Sequence, residues 1–118
     1  MATVLGSGTW LKRGVHRKVW TPLTFSGLDV GSVLDAPDLS EKTVTVDGTL
    51  GTGGTVVIEG GDDGVNFRTL NDLTGAPLSL GAFSTKTIME NPRYIRPRVT
   101  AGDGTTSLTV SIVSRADT

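Results

Sequence analysis

The chain has 118 residues, one domain's length, with 16 Gly, no Cys, 5% aromatics and a formal net charge of −1. Lack of Cys excludes disulfides, thiolate nucleophiles and thiolate-bound zinc, and the near-neutral balance sets up no field that would draw the chain to nucleic acid or a membrane. With aromatics scarce, the core must be built from Val, Leu and Ile, while abundant Gly, Thr and Ser point to short strands joined by tight turns.

Residues 1–20 carry Lys12, Arg13, His16, Arg17 and Lys18 and no acid; the first acid is Asp29. Only Val4, Leu5, Trp10 and Leu11 could be buried early on, so residues 1–17 are expected to form an extended basic N-terminal arm and residues 18–118 a single β-sandwich domain. The start is not basic-then-apolar and does not read as a signal peptide, and no apolar run approaches the roughly 20 residues of a spanning helix. Residues 19–25 are β-prone but contain Pro22, which predicts an edge or bent strand. Residues 26–40, with Gly27, Gly31, Asp35, Pro37 and Asp38, read as a long loop. Residues 43–46 alternate Thr and Val, and the Gly-rich stretch 48–54 reads as a hairpin turn.

Residues 55–59 and 66–70 flank the Gly/Asp cluster 60–64, a hairpin signal. Residues 77–80 predict a short strand, and residues 86–90 either a strand or one helical turn. In residues 93–100 Tyr94, Arg96 and Arg98 share one face and Ile95, Pro97 and Val99 the other. Asp103-Gly104 then leads into residues 107–112, with Leu108, Val110 and Ile112 on one face, so the two runs are expected to pair as a hairpin. Seven or eight short strands at roughly 8–14-residue spacing, with no amphipathic helix, predict an all-β fold, an antiparallel β-sandwich of jelly-roll type.

No catalytic, cofactor-binding or metal-ligating set emerges, and no enzyme is expected. His16 is the single His and is expected to be a solvated arm residue. Asp62 and Asp63 lack the alternate spacing and later Glu of a calcium loop, so turn chemistry is expected of them. Gly48 to Gly54 lacks the Gly-Lys-Ser/Thr ending and the following helix of a phosphate loop. Arg96 and Arg98 beside Tyr94 make a flat basic strip of the kind that single-stranded nucleic acid uses, but one Tyr is a thin platform. Pairing with cross-strand acids or with a protein partner is the better expectation. In the arm, Trp10 beside Lys12, Arg13, Arg17 and Lys18 suggests a segment that orders on docking. The candidate partner-binding residues are therefore Trp10, Lys12, Arg13, Arg17, Lys18, Tyr94, Arg96 and Arg98.

The run Gly54-Thr55-Val56-Val57-Ile58-Glu59-Gly60, then Asp63 to Leu70, Glu90-Asn91-Pro92-Arg93-Tyr94-Ile95-Arg96-Pro97 and Gly102 to Val110 carry a resemblance. They resemble the small β-domain proteins of tailed bacteriophages, most of all the capsid decoration (cement) proteins of short-tailed phages, over about residues 43–113. The resemblance implies a jelly-roll-like sandwich made in the host cytoplasm and placed on the outer capsid surface of the virion. There it would bridge major capsid protein subunits, often as a dimer or trimer, with no nucleic acid, membrane or cofactor involved. Two further likenesses compete. Tyr94 with Arg98-Val99 and Asp103-Gly104 resembles the last hairpin of fibronectin type III domains, with Trp20 as the core Trp. Residues 63–67 resemble a loop of discoidin-like carbohydrate-binding modules. Either would imply an adhesin or carbohydrate-binding module of a tail or fibre.

Overall fold

Alternating Val/Thr and Leu/Ser runs favour strands because branched side chains pack well on a pleated surface and period-2 alternation buries one face. A computed structural model describes residues 2–116 and shows an all-β chain. Its strands are β1 (Thr3–Val4), β2 (Ser7–Lys12), β3 (Val15–Thr24), β4 (Val30–Gly31), β5 (Leu34–Asp35) and β6 (Glu41–Thr49). They continue with β7 (Thr55–Gly61), β8 (Arg68–Thr69), β9 (Ser79–Leu80), β10 (Ser84–Ile88), β11 (Tyr94–Ala101) and β12 (Ser107–Arg115). Two mostly antiparallel sheets pack together as a sandwich. One has the order β10-β6-β12-β3-β2; the other runs β1-β4-β11-β7-β8, with β5 also on β11 and β9 also on β7. No described helix is long and apolar enough to cross a membrane.

The core lies between the sheets. Trp20, Leu23, Val44, Val46, Leu108, Val110 and Ile112 from the five-stranded sheet meet Val56, Ile58, Leu80, Ile95 and Val99 from the other. Each such side chain contributes roughly 1.5–3 kcal/mol when fully buried.

Two expected hairpins are corrected. β11 and β12 lie in different sheets, as do β6 and β7, so both Gly-rich connections are arches between layers. The apolar rows of β11 and β12 do meet, but face to face across the core and not side by side. Residues 60–64, by contrast, do make the expected hairpin, joining β7 to β8. The 26–40 stretch, expected as a loop, carries β4 and β5, and residues 84–88 form a strand.

The two arches sit against each other. Asp103 Oδ1 accepts from the Thr105 N–H (2.8 Å) and hydroxyl (2.7 Å), and its Oδ2 accepts from the Thr52 N–H (2.9 Å). The Thr106 hydroxyl donates to the Leu50 carbonyl at 2.7 Å. Gly51, at φ +64, has no room for a Cβ, which would stand 2.3 Å from Asp103 Oδ1. These bonds, the Thr105 hydroxyl's first, hold the Asp103 carboxyl well below the usual carboxylate range. The Asn66 and Val65 amides likewise pull Asp63 down to about 2. A carboxyl depressed on folding stabilises the fold above its ordinary pKa, and that contribution is lost as pH falls through the folded value. The melting temperature is therefore expected to hold down to about pH 4 and to fall from there to about pH 2. Thermal melts across that range check this. Asp103→Asn should melt lower at neutral pH and lose part of the acid dependence.

The N-terminal segment is hydrogen-bonded into both sheets. β1 pairs in parallel with β4, and β2 pairs with β3 around an Arg13-Gly14 turn with Gly14 at φ +79. The boundary expected between residues 17 and 18 falls inside β3, whose residues 15–17 pair with residues 113–115 of β12. β2 escapes a reading by pattern because all six of its residues stay exposed, so no apolar alternation marks it. Pro22 sits in the half of β3 that β2 does not flank, where the register with β12 also shifts. That half is the bent edge the proline predicts.

Candidate functional site

β11 occupies the middle of the seven-stranded sheet, and its alternation sends Tyr94, Arg96 and Arg98 to the outer face. Directly opposite Arg96 on β7 is Glu59. Arg96 Nε donates to Glu59 Oε1 at 2.8 Å and Arg98 Nε to Oε2 at 3.1 Å, so one carboxylate is shared by two guanidinium groups. The Glu59 side chain is 5% exposed and that of Arg98 40%. Val30 and Val57 pair with Arg98 from either side and are buried outside the main core, which places them on the same face, flanking the arginine stem. The Arg96 guanidinium lies 3.7 Å from the centroid of Phe67, and that of Arg93 4.9 Å from Tyr94. Arg93 also reaches Asp35 at 3.5 Å. The expected basic strip is therefore real and partly neutralised by a cross-strand acid, as the sequence suggested.

The other candidate residues lie on the five-stranded sheet. Trp10 is 61% exposed and meets the His16 ring edge-on at a centroid distance of 5.0 Å. Lys12 and Arg13 form the tip of the β2–β3 hairpin, and Arg17 is exposed. Lys18 differs: it turns inward beside Trp20 and donates to the Val33 carbonyl at 2.8 Å, so it closes the sandwich flank. Burial lowers its pKa. The two candidate groups thus occupy different sheets and form no single site.

His16 is not a solvated arm residue. It is half-buried, and its Nδ1 is buried without a hydrogen-bond partner among the described residues. Burial lowers its pKa, and the charge of Lys18 adds to this. Across the inner face the register sets Lys42, Ser114, His16 and Trp10 in one row. Ser114 Oγ likewise has no partner among the described residues. Lys42, 1% exposed, donates to the Leu39 carbonyl and to Asn91, and burial pushes its pKa down to about 8. Sequence reasoning missed this row, although parity with Val44 and Val46 places Lys42 on the apolar face. Asp63 does the expected turn chemistry, accepting from Val65 and Asn66. Among the described residues no group of His, Cys, Asp or Glu could hold a metal ion.

Compared with family models, with curated proteins and with solved structures, the chain matches none. What the geometry offers is two separate exposed surfaces. One is an open strand edge carrying an apolar ring, with the cations Lys12 and Arg13 at its hairpin tip. The other is a flat face with a pinned pair of arginines.

Proposed function

We propose that this chain is a structural protein of a tailed-phage virion that decorates the outer capsid surface and stabilises the shell by bridging major capsid protein subunits. Its copies associate as dimers or trimers, and no catalytic step is assigned to it. The fold is read as a jelly roll. Supporting that, β3, β4 with β5, β6, β7, β8 with β9, β10, β11 and β12 make eight successive units. They fall into sheet orders β10-β6-β12-β3 and β4-β11-β7-β8, the interleaving of two Greek keys.

The observation that carries the docking reading is the β2 edge. Six consecutive exposed residues include Trp10, with Leu11 and the cations Lys12 and Arg13 beside it, along a strand whose second side has no partner among the described residues. An exposed aromatic rimmed by charge on an open edge is a docking feature, and repetition over a lattice makes weak contacts strong in sum. The adhesin alternative has less support on the β11 face, because sugars stack on bare rings while Phe67 and Tyr94 there already carry guanidinium groups. Trp10→Ala is expected to change stability by no more than about 1 kcal/mol and to weaken binding to capsids of the parent phage at least about tenfold. Co-sedimentation with purified capsids reads the second and thermal melts the first. Failure of the unaltered protein to bind those capsids at saturating excess, with binding to glycans instead, would overturn the reading.

A further inference from the structure

We propose that Arg96 and Arg98 together form a receptor for one carboxylate side chain of a protein partner. The two guanidinium groups share a single carboxylate, so the trio of Arg96, Glu59 and Arg98 keeps one uncompensated positive charge. Both arginines bond Glu59 through Nε, and among the described residues no Nη of either has an acceptor. Guanidinium N–H groups recognise a carboxylate by paired, charge-assisted hydrogen bonds, and two adjacent forks offer such pairs.

The receptor is also held in place before any partner arrives. Arg96 is stacked on Phe67 at 3.7 Å, Arg98 runs between Val30 and Val57, and Glu59 is buried beneath both. Long side chains normally lose rotamer freedom on binding; here the fold has already taken that loss, which favours the bound state.

The surroundings select a single carboxylate over a phosphate backbone. Asp35 and Gly61 flank Tyr94 at the end of the strip, and Asp62 and Asp63 follow Gly61 in the β7–β8 turn. A polyanion lying along β11 would meet these acids, whereas one side chain entering at Arg96 and Arg98 meets a single carboxylate, Glu59, set against two guanidinium groups. Nucleic-acid bases would also need open rings, and Tyr94 and Phe67 each carry a guanidinium already.

The inference rests on the docking reading above, but its test needs no capsid. Protein labelled at arginine nitrogen is titrated with a blocked peptide containing one Glu, with the same peptide carrying Gln, and with a ten-nucleotide oligothymidylate. The Glu peptide should shift the Nε–H signals of Arg96 and Arg98 saturably, and the Gln peptide should leave them in place. Arg98→Lys, which keeps the charge and loses the fork, should weaken the response at least about fivefold, while Arg93→Lys should not change it. Equal shifts with Gln, stronger shifts with oligothymidylate, or full binding by Arg98→Lys would each overturn the proposal. The peptide comparison on the unaltered protein stands without the variants. A flat peptide titration with intact capsid binding removes this inference alone; a normal titration without capsid binding removes only the docking partner proposed above.

Discussion

Trp20→Ala is expected to destabilise the fold by about 3–5 kcal/mol, near the upper end of that range, and to lower the melting temperature by roughly 15 °C. Trp20 is fully buried and is the largest side chain of the core. Its indole N–H donates to the Ser32 carbonyl at 2.9 Å, which ties the five-stranded sheet to the β4–β5 connection of the other layer. The upper end applies because of what surrounds the ring. A Cβ on Gly31 would stand 2.7 Å from Trp20 Cδ1, and one on Gly6 2.7 Å from Nε1. Two bare glycines line the site and have no side chain to offer to the space left behind, and cavity cost rises with residual volume. Trp20→Phe should lose less, keeping most of the volume while leaving the Ser32 carbonyl without its donor. Urea titrations of the three proteins give the comparison. A Trp20→Ala loss below about 1 kcal/mol would mean that the ring is not packed between the layers.

The all-β class and the faces of β11 were legible because alternation depends only on neighbours in sequence. Parity alone puts Tyr94, Arg96 and Arg98 on one face, and the structure has them there. The sheet to which each strand belongs was not legible. Ile95 and Val99 face Leu108 and Ile112 from opposite layers, and an inward row looks the same in sequence whether its partner lies beside it or across the core. The Gly-rich connections after β6 and β11 suit an arch as well as a hairpin, and what distinguishes them is Asp103 bonding to Thr52, a contact between residues 51 positions apart. The N-terminal segment was misread for a different reason. Edge strands with solvated side chains lack the contrast on which pattern reading depends, and β2 has none. Lys18 illustrates the converse error: a cation two residues before Trp20 shares its inward face and spans the sandwich flank with its stem. Glu59 ends an otherwise apolar run, Val56-Val57-Ile58, and only the register between β7 and β11 shows that it lies under two arginines.

That acid has the second-largest expected effect. Glu59→Ala is expected to cost about 3 kcal/mol, since breaking a buried ion pair from one side leaves its partners uncompensated. The figure lies at the low end of the range for such changes because Arg96 and Arg98 are partly exposed, and water can solvate them once Glu59 is gone. Arg96→Ala should cost less, about 1–2 kcal/mol, because Glu59 keeps its bond to Arg98 and no buried charge is abandoned. The asymmetry is the testable point. Introduced into an Arg96→Ala, Arg98→Ala background, Glu59→Ala should cost much less than in the unaltered protein, with a coupling of roughly 1–3 kcal/mol. Additive losses, measured by urea unfolding of the full cycle, would show that the carboxylate contributes by packing alone. In that case the two guanidinium groups would not be held in place by the acid beneath them, and the rigidity ascribed to this face would have to come from Phe67, Val30 and Val57 alone.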